Sequence, residues 1–133
     1  MNNEILERFK NISAMINNTP MLEIYLKYKG IDRKLYAKIE YYNFTGSIKD
    51  RIAYHILKSS YESGLIKKGD IIAEASSGNT GIALSAFGAY LGNPVHIFMP
   101  DWMSDERKKL LESLGATIHL VSKEDGGFKG SVE

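Results

Sequence analysis

The sequence predicts an α/β fold, a parallel sheet with flanking helices. Three observations carry this. The runs DIIAEAS, PVHIFMP and ATIHLV (residues 70–76, 94–100 and 116–121) are short and apolar, as strands buried on both faces are. They recur about every 22 to 24 residues with a helical pattern between each pair. The connections are short, which suits right-handed crossovers between parallel strands. The segments do not resemble one another in sequence, so the period is not that of a solenoid.

The elements follow in order. Residues 3–12 predict a short helix with Ile5, Leu6, Phe9 and Ile12 on one side. NNTP (17–20) signals a turn and MLEIYL (21–26) a strand. KGIDRK (29–34) reads as a loop, and residues 34–41 alternate as a second strand. A helix is expected from about residue 47 to 63, with Gly64 in the place of a C-terminal cap glycine. After the first apolar strand, SGNTGIALSAFGAYLG (77–92) predicts a helix of small residues suited to lying close on a sheet. SDERKKLLESLG (104–115) predicts an amphipathic helix capped by Ser104, with Asp105 and Glu106 at the end where the helix dipole favours acids. KEDGGFKGSVE (123–133) predicts a turn and the start of one more helix.

Composition narrows the classes. The 133 residues are 44% hydrophobic and 25% charged, which suits one packed domain. A formal net charge of +1 argues against nucleic-acid binding driven by charge. No apolar run is long enough to span a bilayer, so no membrane role is expected, and the N-terminus lacks the apolar core of a signal peptide. The expected location is the cytoplasm. With no cysteine, disulfides, thiolate metal sites and thiol nucleophiles are excluded. His55, His96 and His119 show no metal-ligand spacing, so no metal is expected. There is no G-x-x-x-x-G-K-[ST] loop, no G-x-G-x-x-G after a strand and no G-x-S-x-G elbow.

Two stretches remain. SSGNTG (76–81) ends a buried strand and opens a helix, the place where open α/β sheets bind ligands. Hydroxyls, one amide side chain and unpaired backbone N–H groups converge there, and such a helix start attracts a carboxylate or phosphate. The plainer reading is that Ser76 or Ser77 caps the helix and Thr80 packs. NFTGSIKDR (43–51) places Lys49 in the first turn of a helix whose cap would be Thr45 or Ser47. The dipole disfavours a cation there and so favours the neutral, nucleophilic amine, which forms Schiff bases with aldehydes. The plainer reading is a solvated lysine. Asp50 and Arg51 are expected to pair with each other. The two stretches together offer a Schiff-base amine and a carboxylate grip, the needs of pyridoxal phosphate chemistry on an amino acid.

From about Ile12 to Glu133 the chain resembles the N-terminal part of the cysteine synthase (O-acetylserine sulfhydrylase) and cystathionine β-synthase family, pyridoxal-phosphate enzymes of fold type II, the tryptophan synthase β-like fold. INNTPMLEI resembles the family's I-G-N-T-P-L-x-x-L, NFTGSIKDR its N-P-x-G-S-x-K-D-R, and EASSGNTGIALS its E-x-[TS]-S-G-N-T-G-I-x-L. FMPDWMSDERKKLLESLGA and GGFKGSVE resemble two further motifs, in the same order. The resemblance implies that Lys49 bonds the aldehyde of pyridoxal 5′-phosphate and moves the substrate α-proton. Asn79 would hydrogen-bond the cofactor's ring hydroxyl oxygen. Ser76, Ser77, Gly78, Asn79 and Thr80 would hold the substrate carboxylate. The implied reaction is β-replacement, O-acetylserine plus sulfide giving cysteine plus acetate. The alternatives are related β-elimination or β-replacement on cysteine or serine, of desulfhydrase or cystathionine β-synthase type. An alternative of another class is a catalytically silent α/β fragment that binds a partner chain.

The sequence departs from the pattern at Phe44, where proline is usual, at Ser76, where threonine is frequent, and at Trp102. No glycine- and threonine-rich phosphate cradle and no partner for the pyridine nitrogen is found in the 133 residues. The chain is therefore expected to be an incomplete N-terminal portion. Residues 1–45 would pack on a further C-terminal domain, and residues 46–133 would form the α/β domain with the cofactor lysine and substrate loop. Family analogy alone implies a homodimer and association with serine acetyltransferase.

Overall fold

The structure, a computed structural model, describes residues 2–127 and 129–132. The chain opens with helix α1 (Asn3–Ser13), whose first turn is capped by Asn2 Oδ1 accepting from the Ile5 N–H at 2.9 Å. Strands β1 (Met21–Tyr28) and β2 (Ile31–Lys38) form an antiparallel hairpin, followed by a short 3-10 helix at Glu40–Tyr42. Then come α2 (Lys49–Glu62), β3 (Ile72–Ala75), α3 (Asn79–Leu91), β4 (Val95–Pro100), α4 (Asp105–Ser113) and β5 (Thr117–Val121). The last three strands form the expected parallel sheet, in the order β3-β4-β5.

Two expectations at the N-terminal end are corrected. The loop at 29–34 shrinks to a two-residue turn with Lys29 and Gly30 both at positive φ, 50° and 77°. That handedness matches the twist of the flanking strands and lets Ile31 pair with Tyr28. The second strand ends at Lys38 rather than near Tyr41, because Ile39 turns inward and is buried while Glu40 is drawn towards α2. At the other end, residues 123–127 and 129–132 form successive turns, and the further helix expected there is not seen among the described residues; Phe128 and Glu133 lie outside them.

Two connected cores hold the molecule. Ile5, Phe9, Ile12 and Ile16 pack with Ala53, Leu57 and Tyr61 of α2 and with Ala83, Leu84, Phe87 and Leu91 of α3. Val95, Ile97 and Met99 of β4 pack with Leu111 and Ala116, and Ile72 touches both groups. Helix α3 lies close on the sheet, as its small residues predict. A Cβ on Gly88 would lie 2.2 Å from Val95 Cγ2 and 3.0 Å from the Asn93 carbonyl oxygen. Gly64 sits just past the end of α2 at φ +74°, the left-handed position that favours glycine after a helix.

The hairpin has two unlike faces. Leu22, Ile24 and Tyr28 stand opposite Ala37, Leu35 and Ile31, and the large members of this set are exposed. On the other face Glu23 pairs with Lys34 at 2.7 Å and Lys27 with Asp32 at 3.7 Å.

Candidate active site

Helix α2 starts at Lys49 itself. Its N-cap residue is Ile48, so neither Thr45 nor Ser47 holds that position. Ser47 is drawn inward instead, and its Oγ accepts from the Lys49 N–H at 3.1 Å. The expected pairing of Asp50 with Arg51 is also corrected. Asp50 is fully buried and turns back to accept from the Thr45 N–H at 2.6 Å and from the Thr45 hydroxyl. This closes residues 45–50 into a tight loop that presents Lys49. Arg51 points the other way. Its Nε and Nη2 grip both Glu40 oxygens at 2.8 and 2.9 Å, and it also donates to the Asn17 and Thr19 oxygens. The guanidinium, with hydrogen bonds from Thr19 and Asn43, lowers the Glu40 carboxyl from its ordinary 4.5 to about 2. The network ties the residue 17–20 turn to α2. The Lys49 amine is half-buried and has no hydrogen-bond or ion-pair partner among the described residues.

The loop of residues 76–81 leaves the carboxyl end of β3, where the sequence places it. Gly78 is the N-cap of α3 and offers no side chain. Ser76 supplies the missing acceptor from two residues upstream. Its Oγ takes the Gly81 N–H at 3.0 Å and the Gly78 N–H at 3.3 Å. Ser76 thus does the capping work without holding the cap position. The Asn79 and Thr80 N–H groups have no partner among the described residues, and neither do the side chains of Ser77, Asn79 and Thr80. An ideal Cβ on Gly78 would meet nothing within 4 Å, so the outer side of the loop is open to an approaching group. Open N–H groups at a helix start are what an incoming carboxylate requires.

The two stretches lie at one end of the molecule. Tyr61, in the last turn of α2, donates to Asn93 Oδ1 just beyond α3, so the two helices end together. They share one core and have 14 and 13 residues, so they also begin together. Lys49 and residues 76–80 therefore share the end of the layer at which β3 terminates. His96 and His119 are not ligands of a shared cluster with acids. They stack on the sheet, with His96 Nδ1 2.9 Å from His119 Nε2. Among the described residues no group of three metal-ligating side chains occurs, and no helix is long and apolar enough to cross a membrane.

Sequence reasoning missed several neighbours. Arg107 of α4 donates through Nη1 to the Ser77 carbonyl at 2.9 Å. The available signal was a cation in the first turn of a helix, the same oddity that marks Lys49. Burial within β3 raises the Glu74 carboxyl above its ordinary value. Beside it, a cleft of about 550 Å³ runs along β3 and is walled by Ala75, Phe98 and residues 130–132. Neither Lys49 nor residues 77–80 line that cleft.

A family model described as pyridoxal-phosphate dependent enzyme matches residues 12–133. The chain is 39% identical over 126 residues to a cysteine synthase from Flavobacterium sp., covering 95% of this chain and 40% of that protein. It is 41% identical over 108 residues to a cystathionine β-synthase from Dictyostelium discoideum, covering 81% of this chain and 22% of that protein. A crystal structure of a hydrogen sulfide-producing enzyme from Fusobacterium nucleatum superposes with a TM-score of 0.92 at 56% identity, covering 96% of this chain and 38% of that one. The chain thus spans about two fifths or less of these relatives. The lysine of α2, without a partner among the described residues, and the open loop before α3 sit inside the matched region, and the chain belongs to the family of pyridoxal-phosphate-dependent enzymes.

Proposed function

We propose that the full-length protein acts at the β-carbon of a three-carbon amino acid and that its main reaction releases sulfide from cysteine. The observation that carries this choice is the 56% identity to the hydrogen sulfide-producing enzyme, against 39% and 41% for the cysteine synthase and cystathionine β-synthase. The second reading is formation of cysteine and acetate from O-acetylserine and sulfide, favoured by the cysteine synthase relative.

The residues fit the cofactor's chemistry. Bound pyridoxal phosphate supplies an electron sink for the α-carbon, which lets the α-proton and then a β-substituent leave. The Lys49 amine, half-buried and without a partner, is free to bond an aldehyde and afterwards to move the α-proton. The Asn79 amide is free to meet a ring oxygen. The Ser77 and Thr80 hydroxyls and the Asn79 and Thr80 N–H groups are free to grip a carboxylate, and Ser76 holds them in register through Gly81.

The test offers the full-length protein three mixtures: cysteine alone, O-acetylserine with sulfide, and serine with homocysteine. Sulfide release from cysteine alone should dominate. Dominant cysteine formation from O-acetylserine would replace the first reading by the second. Lys49→Ala should abolish the visible absorbance band of the bound cofactor, and a band that survives would remove Lys49 from its role. A wild-type protein that shows no band with cofactor added would favour the silent module.

A further inference from the structure

We propose that Arg107 is a positioning residue that holds the carboxylate loop open for its ligand by fixing the Ser77–Gly78 peptide from α4. The inference rests on the reading of residues 76–80 as the grip for the substrate carboxylate.

The placement of Arg107 is costly by itself. It is the third residue of α4, where the unpaired N–H groups of the helix repel a cation. Asp105 and Glu106 precede it and offset part of that field. The Arg107 side chain, however, makes no ion pair with either. It leaves its own helix and donates through Nη1 to the Ser77 carbonyl, 30 residues earlier in the chain. Lys108, next to it, pairs with Asp105 at 3.6 Å and donates to the Asp101 carbonyl at 2.8 Å. Helix α4 therefore reaches both loops at the carboxyl end of the sheet, the one after β3 through Arg107 and the one after β4 through Lys108.

What Arg107 holds decides what the loop can do. Ser76 N–H donates to the Phe98 carbonyl at 3.1 Å, and Ser76 Oγ accepts from Gly78 and Gly81, so Ser76 is anchored to the sheet and to α3. Gly78 has no side chain to restrain it and open space around it. Between those two points the Ser77–Gly78 peptide is held on its N–H side only by the long 3.3 Å bond to Ser76 Oγ, so its orientation depends on its carbonyl being held as well. Rotation would swing the Ser77 carbonyl, an acceptor, towards the mouth of a site built of donors, where it would repel a carboxylate. The Arg107 bond keeps that oxygen on the α4 side and leaves the Asn79 and Thr80 N–H groups facing outward. The guanidinium also adds a positive charge beside the site without occupying it.

The test compares binding of L-serine with binding of L-serinamide, which lacks the carboxylate charge, to the full-length protein loaded with pyridoxal phosphate, followed by the cofactor's absorbance. Thermal melting of the cofactor-free protein provides a second readout. Arg107→Met should weaken serine about tenfold, the size of one lost hydrogen bond to a charged group. Serinamide binding should change little. Arg107→Lys, which keeps one donor, should recover part of the serine affinity. Equal weakening of both ligands, or of neither, would make Arg107 only a strut between α4 and α3. Should Arg107→Met not fold, the lysine variant decides alone: unchanged serine affinity overturns the proposal. A wild-type protein that binds serine and serinamide equally would instead overturn the carboxylate reading of the loop.

Discussion

Lys49 and its neighbours Asp50 and Arg51 stand side by side in sequence and have three different surroundings. Lys49 stands out on local physics as a first-turn cation without an obvious partner, and its amine has none among the described residues. The roles of Asp50 and Arg51 were not legible in the sequence, because their partners lie elsewhere: Thr45 for one, and Asn17, Thr19 and Glu40 for the other. Adjacent opposite charges invite pairing on paper, but successive residues of a helix point about 100° apart and rarely meet. The Arg51–Glu40 pair makes a pH prediction. The Glu40 carboxyl is lowered from 4.5 to about 2 by Arg51 and by hydrogen bonds from Thr19 and Asn43. A depressed carboxyl stabilises the fold above its unfolded value and loses that contribution as pH falls towards the folded value. Thermal melting of the wild type should therefore drop more steeply between about pH 4.5 and 2 than that of Glu40→Gln, which should start lower at pH 7. Parallel melting curves for the two proteins would show that the pair contributes nothing.

At the scale of elements, the parallel half was readable because its signals are local and repeated: apolar strands, a small-residue helix, and an amphipathic helix with Ser104 at its N-cap position, although the Ser104 side chain makes no capping hydrogen bond there. The hairpin was harder. Its turn carries Lys29 rather than asparagine before Gly30, which weakens the usual signature, and the end of β2 is set by Ile39 and Glu40 finding partners across the molecule. Helix α3 shows how composition becomes packing. Its small residues let the backbone approach β4 until Gly88 has no room for a methyl group, the nearest atom being Val95 Cγ2. Gly88→Ala gains helix propensity of about 1 kcal/mol. It must also move Val95 or lift the helix off the sheet, and overpacking of this kind costs about 1–3 kcal/mol. The carbonyl of Asn93, 3.0 Å away, is backbone and yields less readily than a side chain. The net effect should be a lower melting temperature and, since α3 carries residues 79 and 80, weaker amino-acid binding. A melting temperature equal to or above the wild type would mean that the close approach is not constrained.

At the scale of the whole molecule, the unbalanced feature is the hairpin. One face carries the Glu23–Lys34 and Lys27–Asp32 pairs beside the exposed Tyr25 and Tyr36, whereas the aliphatic Leu22, Ile24, Ile31 and Leu35 on the other face are 41–55% exposed. An isolated two-stranded ribbon is marginal in water and needs a third strand or a packed face to persist. The first 16 residues do not supply one, because α1 spends its apolar side on α2 and α3. This chain spans 38–40% of the length of the Fusobacterium and Flavobacterium proteins, so those relatives extend well beyond the matched region. We propose that the apolar face of the hairpin packs on that remaining part of the full-length protein, so that residues 21–38 gain their order there and not from the α/β unit. Hydrogen exchange distinguishes the arrangements. In the isolated 133-residue polypeptide, the amides of β1 and β2 should exchange far faster than those of β3, β4 and α3, because few buried contacts hold the hairpin closed. In the full-length protein their exchange should slow towards that of the parallel sheet. Equally fast exchange of the hairpin in both would place its apolar face in solvent. Equally slow exchange in both would mean that the hairpin closes by itself and needs no further cover.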